Sequence, residues 1–233
     1  MIECQNLTKR FGPTLAVSNF DLSLNAGEVV GLLGRNGSGK STAMKLMAGL
    51  TQPSEGRVTL HQQDPRKCHE TLAYVGDYLG YYPWMTARDI ESLTEALFSD
   101  FDQVRFRSLI SDLDIPNHEL GKMSKGQQQK LKLCATMARA AKVFLLDEPL
   151  SGIDILTRHE ILEQLVKNRP PGSLVIITTH EIKDVEPILD HAIFMKDGRK
   201  ILDEPVAQIT ERGMSVSEAF IKHLSASPIG DLS

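Results

Sequence analysis

Three short uninterrupted apolar runs punctuate the chain, at residues 29–33, 143–146 and 174–178. Aliphatic and β-branched runs of this length predict strands buried on both faces of a parallel sheet. Each precedes a polar or Gly-rich stretch and a helical pattern, so the predicted class is α/β. The first run feeds Gly34-Arg35-Asn36-Gly37-Ser38-Gly39 and then a helix over residues 40–49, where Met44, Met47 and Ala48 recur at helical spacing. Alternation at Phe20, Leu22 and Leu24, repeated over residues 56–60, predicts an antiparallel β element beside that sheet. From about residue 78 to residue 141 the β pattern gives way to helices expected at 86–98, 103–113 and 124–140, with breaks at Pro83 and Pro116. The expected organisation is a core of residues 1–77 and 142–233, antiparallel β part included, with an inserted helical subdomain over 78–141. After His180 the pattern predicts a helix, a strand over 192–195, a turn at 196–199 and a helical tail to about Leu224.

Composition narrows the partners. With 26 Lys and Arg against 30 Asp and Glu, the net charge is −4 and there is no basic footprint for nucleic acid. No nucleic-acid partner is expected. Cys4, Cys68 and Cys134 are too few and too far apart for a disulfide framework or a metal site, which points to a reducing compartment. No run approaches ~20 apolar residues, and the first five residues lack a basic region leading into an apolar run. Neither a membrane-spanning helix nor a secretory signal is expected. All four Tyr and the single Trp fall between Tyr74 and Trp84.

Chemistry concentrates at the ends of the three runs. Gly34 to Ser41 fits the phosphate-binding loop pattern in the context it requires, a buried strand, a glycine turn and a helix start. Glycines let successive backbone N–H groups face a phosphate, and the helix N-terminus favours its charge. Lys40 is placed to reach the terminal phosphates and Ser41 to ligand Mg²⁺, with Asn36, Gly37, Ser38, Gly39 and Thr42 completing the cradle. Asp147 and Glu148 follow the second run, at the sheet edge where α/β proteins bind ligands. Asp147 suits Mg²⁺, and Glu148 suits a general base that deprotonates an attacking water. His180 follows the third run and is expected at the same edge.

In this order and spacing the motifs resemble the nucleotide-binding subunit of an ATP-binding cassette (ABC) transporter, and the resemblance covers nearly the whole chain. Met123-Ser124-Lys125-Gly126-Gln127 is similar to the family's signature motif, although Ser124 and Gln127 also read as a capping box opening a helix with Leu131, Cys134, Ala135 and Ala138 on one face. Leu150-Ser151-Gly152-Ile153-Asp154 is similar to its D-loop, Thr179-His180 to its switch histidine, and Phe11 to the aromatic that stacks on adenine. Asp77 stands where the family's Q-loop usually has glutamine. The resemblance implies a P-loop NTPase fold with a RecA-like core, ATP and Mg²⁺ as ligands, and Ser41, Asp147 and Asp77 at the metal. It implies that Ser124, Gly126 and Gln127 bind ATP held by an opposite subunit, in a homodimer or a paired cassette. It also implies a separate integral membrane permease, contacted near Tyr81, Tyr82 and Trp84, and a peripheral place on the cytoplasmic face of the membrane. The compact chain and the Ser-Lys-Gly-Gln variant resemble bacterial export ATPases of the drug, antibiotic or peptide type. An importer subunit, or a soluble ABC ATPase of DNA repair or ribosomes, is the alternative.

Overall fold

The computed structural model describes residues 1–76 and 80–225, apart from the side chain of Leu156. The three apolar runs are the strands β3 (Val29–Gly34), β6 (Val143–Asp147) and β7 (Leu174–Thr179), and every residue in them is buried. They lie side by side in a six-stranded sheet of order β5-β6-β7-β3-β8-β9, with β5 (Leu72–Val75) and β8 (His191–Lys196) also parallel and β9 (Arg199–Pro205) antiparallel to β8.

Successive side chains of a strand point to opposite faces, and here each face has its own core. Val29 and Leu33 of β3, Phe144 and Leu146 of β6, and Val175 and Ile177 of β7 pack into one cluster. Val30 and Leu32, Val143 and Leu145, and Leu174 and Ile176 pack into the other. An unbroken apolar run is what two covered faces demand. The second cluster is closed by α1 (Lys40–Met47) and by a three-stranded antiparallel sheet of order β2-β1-β4, formed by β1 (Ile2–Phe11), β2 (Thr14–Leu24) and β4 (Glu55–Leu60).

The first cluster takes in α2 (Ala87–Leu97), α3 (Gln103–Asp112) and α4 (Lys125–Met137), which the chain inserts between β5 and β6. It continues through α5 (Ile155–Asn168), α6 (Ile182–Val185), α7 (Val206–Glu211) and α8 (Val216–Ser225). All three thiols are inside: Cys134 in the first cluster, Cys4 and Cys68 in the second. Burial pushes the Cys4 thiol up to about 12 and raises those of Cys68 and Cys134 as well.

Three elements differ from expectation. β1, the central strand of the antiparallel sheet, was not expected; its alternation is interrupted where Asn6 takes φ 49° and the pairing slips between Cys4 and Leu7. The tail after the 196–199 turn is not wholly helical, because β9 returns along β8 before α7 and α8 begin. α4 stops at Met137 rather than Ala140, since the Ala138 carbonyl and the Ala140 amide turn to residues 102 and 100.

Arg139, just beyond α4, fastens the helices to the sheet. Its buried guanidinium pairs with Asp100 at 2.9 Å, donates to the carbonyls of Leu72, His69 and Glu70, and stacks 3.8 Å from the Phe98 ring centroid. Removing it leaves several carbonyls and a carboxylate without their donor, which costs more than the bonds were worth. Arg139→Met is therefore expected to lose about 3 kcal/mol of stability, read as a lower urea midpoint with an unchanged slope.

Candidate functional site

Because β6, β7 and β3 are adjacent and parallel, their carboxyl ends meet at one edge, and a cleft of about 460 Å³ opens there. Asn36, Gly37, Ser38, Gly39, Lys40, Ser41 and Thr42 line it from one side, Glu148, Ser151 and His180 from the other. Gly34 ends β3 beneath the loop, where a Cβ would lie 2.6 Å from the Met195 carbonyl. Gly39 has φ 101°, and a Cβ there would come within 2.3 Å of the Ala16 carbonyl, so only glycine fits.

Lys40 opens α1 with 5% of its surface exposed. Its ammonium donates to the carbonyls of Gly34 (2.7 Å) and Arg35 (3.2 Å) and lies 3.7 Å from Glu148 Oε1. Burial holds this ammonium below the usual lysine range, and the Glu148 and Asp147 carboxylates offset only part of that.

Asp147 is buried at the end of β6. Its Oδ1 accepts the Ser41 hydroxyl (3.0 Å) and the Thr178 hydroxyl (2.5 Å), while its buried Oδ2 has no hydrogen-bond partner among the described residues. An acceptor carboxylate oxygen left over beside a serine hydroxyl is the hard oxygen set that suits Mg²⁺, which keeps waters and phosphate oxygens as its other ligands. The residues fit that ion. Among the described residues no group of three or more His, Cys, Asp or Glu forms a cage of its own. Asp77 lies outside the described residues.

Glu148 sits at φ 46°, a left-handed backbone unusual for a residue with a side chain. Thr178 holds it there, accepting the Glu148 N–H on its hydroxyl at 2.9 Å and on its carbonyl at 3.2 Å. The carboxylate is thereby turned toward the cleft, with Oε2 3.0 Å from His180 Nδ1. His180 itself is about half exposed. Lys40, Glu148 and His180 thus form one continuous polar array.

The remaining candidate residues do not line this cleft themselves. Phe11 is exposed at the end of β1, with the Lys9 ammonium 5.0 Å from its ring centroid, and pairs across the hairpin with Thr14, which lines the cleft. Ser124, Gly126 and Gln127 open α4 and do not line the cleft; Ser124 and Gln127 form a capping box, each receiving the other's backbone N–H at 3.2 and 2.9 Å. Asp154 caps α5 by accepting from the Thr157 N–H at 3.0 Å. Tyr81 packs against the core, whereas Tyr82 and Trp84 are 66% and 63% exposed and stack on each other with centroids 5.8 Å apart.

The family model described as ABC transporter matches residues 17–151, more than half of the chain. The chain belongs to the ABC transporter family. Among ABC relatives, a carnitine transport ATP-binding protein of Listeria monocytogenes is 30% identical over 95% of this chain, which spans 59% of that relative's length. A Nod factor export ATP-binding protein of Burkholderia lata is 31% identical over 94% of this chain and 76% of its own. An arabinose import ATP-binding protein of Paraburkholderia xenovorans is 30% identical over 97% of this chain and 48% of its own. A solved ATP-binding subunit of an ABC transporter superposes with a TM-score of 0.82 at 21% identity, over 96% of this chain and 99% of the other. A dimeric post-hydrolysis ATP-binding cassette bound to ADP and Pi superposes with a TM-score of 0.77 at 25% identity, over 88% and 98%.

The sequence of this ABC chain gives no sign of the role of Thr178, whereas Ser151, part of the D-loop-like stretch, lines the cleft. A threonine inside an apolar run reads as a strand former, and only its pairing opposite Asp147 reveals the second use. The buried ammonium gives a pH dependence of definite sign. With its folded pKa below its unfolded one, the unfolded chain binds more proton between the two values, so the Lys40 contribution to stability rises with pH in that window. Urea unfolding of the unsubstituted chain and of Lys40→Met at pH 7 to 10 is expected to show their difference moving in favour of the unsubstituted chain as pH rises.

Proposed function

We propose that the chain binds and hydrolyses Mg·ATP and that this drives transport through a separate membrane protein. The observation that carries the reading is the convergence of Lys40, Glu148 and His180 on one cleft behind a glycine loop. In this reading the backbone N–H groups of the loop and the Lys40 ammonium bind the phosphates, exchanging the Gly34 and Arg35 carbonyls for phosphate oxygens. Ser41 and Asp147 hold Mg²⁺, which neutralises phosphate charge when bound. Glu148 takes the proton of a water whose oxygen attacks the γ-phosphorus while the bond to the bridging oxygen breaks. His180 fixes the carboxylate rotamer and, lining the same cleft, is the group that would donate to a phosphate oxygen. Phe11 offers an exposed ring for the base, assisted by hairpin residues 14–16 along the cleft wall.

The same proposal takes residues 78–141 as a helical unit that presents Ser124, Gly126 and Gln127 to the nucleotide of a second cassette. Their position outside this chain's own cleft supports that reading, since a helix N-terminus with a serine and a glycine attracts an anion. The stacked, exposed Tyr82 and Trp84 support a protein contact, because such rings supply large rigid area. No helix among the described residues is long and apolar enough to cross a membrane, so the permease is a separate segment or chain. For direction we retain export. Of the three relatives named above, the Nod factor export protein is covered over 76% of its own length, against 59% and 48% for the carnitine and arabinose proteins.

Glu148→Gln is the decisive variant. It removes the base and keeps the shape, so ATP hydrolysis is expected to fall by about 10²–10⁴-fold while ATP still binds and ATP-loaded dimers accumulate. Phosphate release and light-scattering mass report the two effects. Hydrolysis at the unsubstituted rate would remove Glu148 from the mechanism.

A further inference from the structure

Arg158 stands in the first turns of α5, outside the cleft, and has no part in the chemistry above. Its Nε donates to the Ile153 carbonyl at 2.8 Å and its Nη1 to Asp184 Oδ2 at 2.7 Å. Ile153 ends the 149–153 turn that begins right after Glu148, and Asp184 lies in α6, the short helix that follows His180. The guanidinium therefore braces the backbone after the carboxylate against the helix after the histidine. Its planar fork fixes the spacing between the two ends, which a lysine cannot do. Both charged side chains are mostly buried, at 21% and 25% exposed, so solvent screens the pair less than a surface pair.

The same turn is held from its other side by α4. Gln129 Nε2 donates to the Pro149 carbonyl at 3.1 Å. Gly126 lies so near the Gly152 carbonyl that a Cβ on it would be 3.1 Å away. The start of α4 and α6 thus both bear on the 149–153 turn, α4 through Gln129 and Gly126 and α6 through Arg158.

We infer that Arg158 is a positioning residue that keeps the His180–Glu148 pair in register with the Ser124–Gln127 surface. Nucleotide held by a second copy and bound on that surface is thereby felt at this copy's hydrolytic pair. The inference rests on the dimeric ATPase reading and adds to it the residue that couples the two sites.

The test uses the full chain, with hydrolysis measured against ATP concentration in Mg²⁺. Arg158→Met keeps the aliphatic stem and removes the donors. It is expected to lower kcat about tenfold, the scale of a lost orienting group, and to abolish the cooperativity of the ATP dependence. KM is expected to stay within about twofold, because no phosphate contact is removed. Asp184→Asn should lose part of the same activity, the double variant should be no slower than Arg158→Met, and Arg158→Lys should recover part of the loss. Unsubstituted kcat and cooperativity in Arg158→Met, or additive losses in the double variant, would overturn the inference while leaving the ATPase reading intact. Should Arg158→Met fail to fold, unchanged kcat and cooperativity in Asp184→Asn would overturn it equally. An unsubstituted chain that does not hydrolyse ATP would overturn the ATPase reading itself, and this inference with it.

Discussion

Asp147 Oδ1 receives the hydroxyls of Ser41 and Thr178, and those two bonds tie the start of α1 and the ends of β6 and β7 into one frame. Lys40 and Glu148 take their positions at the cleft from that frame. Thr178 also receives the Glu148 amide, so the residue that anchors one carboxylate sets the backbone of the next. Ser41 follows Lys40 on α1, which fixes where the ammonium enters the cleft. The arrangement requires β6 and β7 to be neighbours in register, with Asp147 opposite Thr178, and the parallel pairing of two strands buried on both faces supplies that.

The frame holds its functional groups against their own preferences. Lys40 is buried where its charged form is disfavoured, and Glu148 occupies a left-handed backbone at a cost of roughly 1 kcal/mol or more. Such strain persists only where the surroundings over-determine it, and here a rigid sheet edge and two Thr178 contacts do so. The stability comes from elsewhere: the two apolar clusters across the sheet, and Arg139, which bolts the helices to β5.

The parts legible in the sequence are those where one physical demand fills consecutive positions. A strand covered on both faces needs an unbroken apolar run, and a loop that curls around phosphate needs glycines at fixed intervals, so β3, β6, β7 and the loop after Gly34 were readable. The capping box of α4 was readable because its two partners are only three residues apart. β1 was not, because a strand at the middle of a two-sided sheet with a slipped register carries no steady alternation. β9 was hidden by the pairing irregularity opposite Phe194 and Met195. Thr178 and Arg158 act through neighbours brought together by the sheet order, from up to 31 positions away in the case of Thr178 and Asp147. No local pattern records such a meeting.

The sequestered thiols have a practical side. Cys4, Cys68 and Cys134 are packed inside the two cores, and burial keeps them protonated, whereas a thiolate is the species that reacts with maleimides and alkylating agents. A cysteine introduced at an exposed site such as Ile155 would then be the one that takes a label. The native chain is in effect already a cysteine-silent background, and a fluorophore or spin label could follow the 149–153 turn without stripping the core of its sulfur.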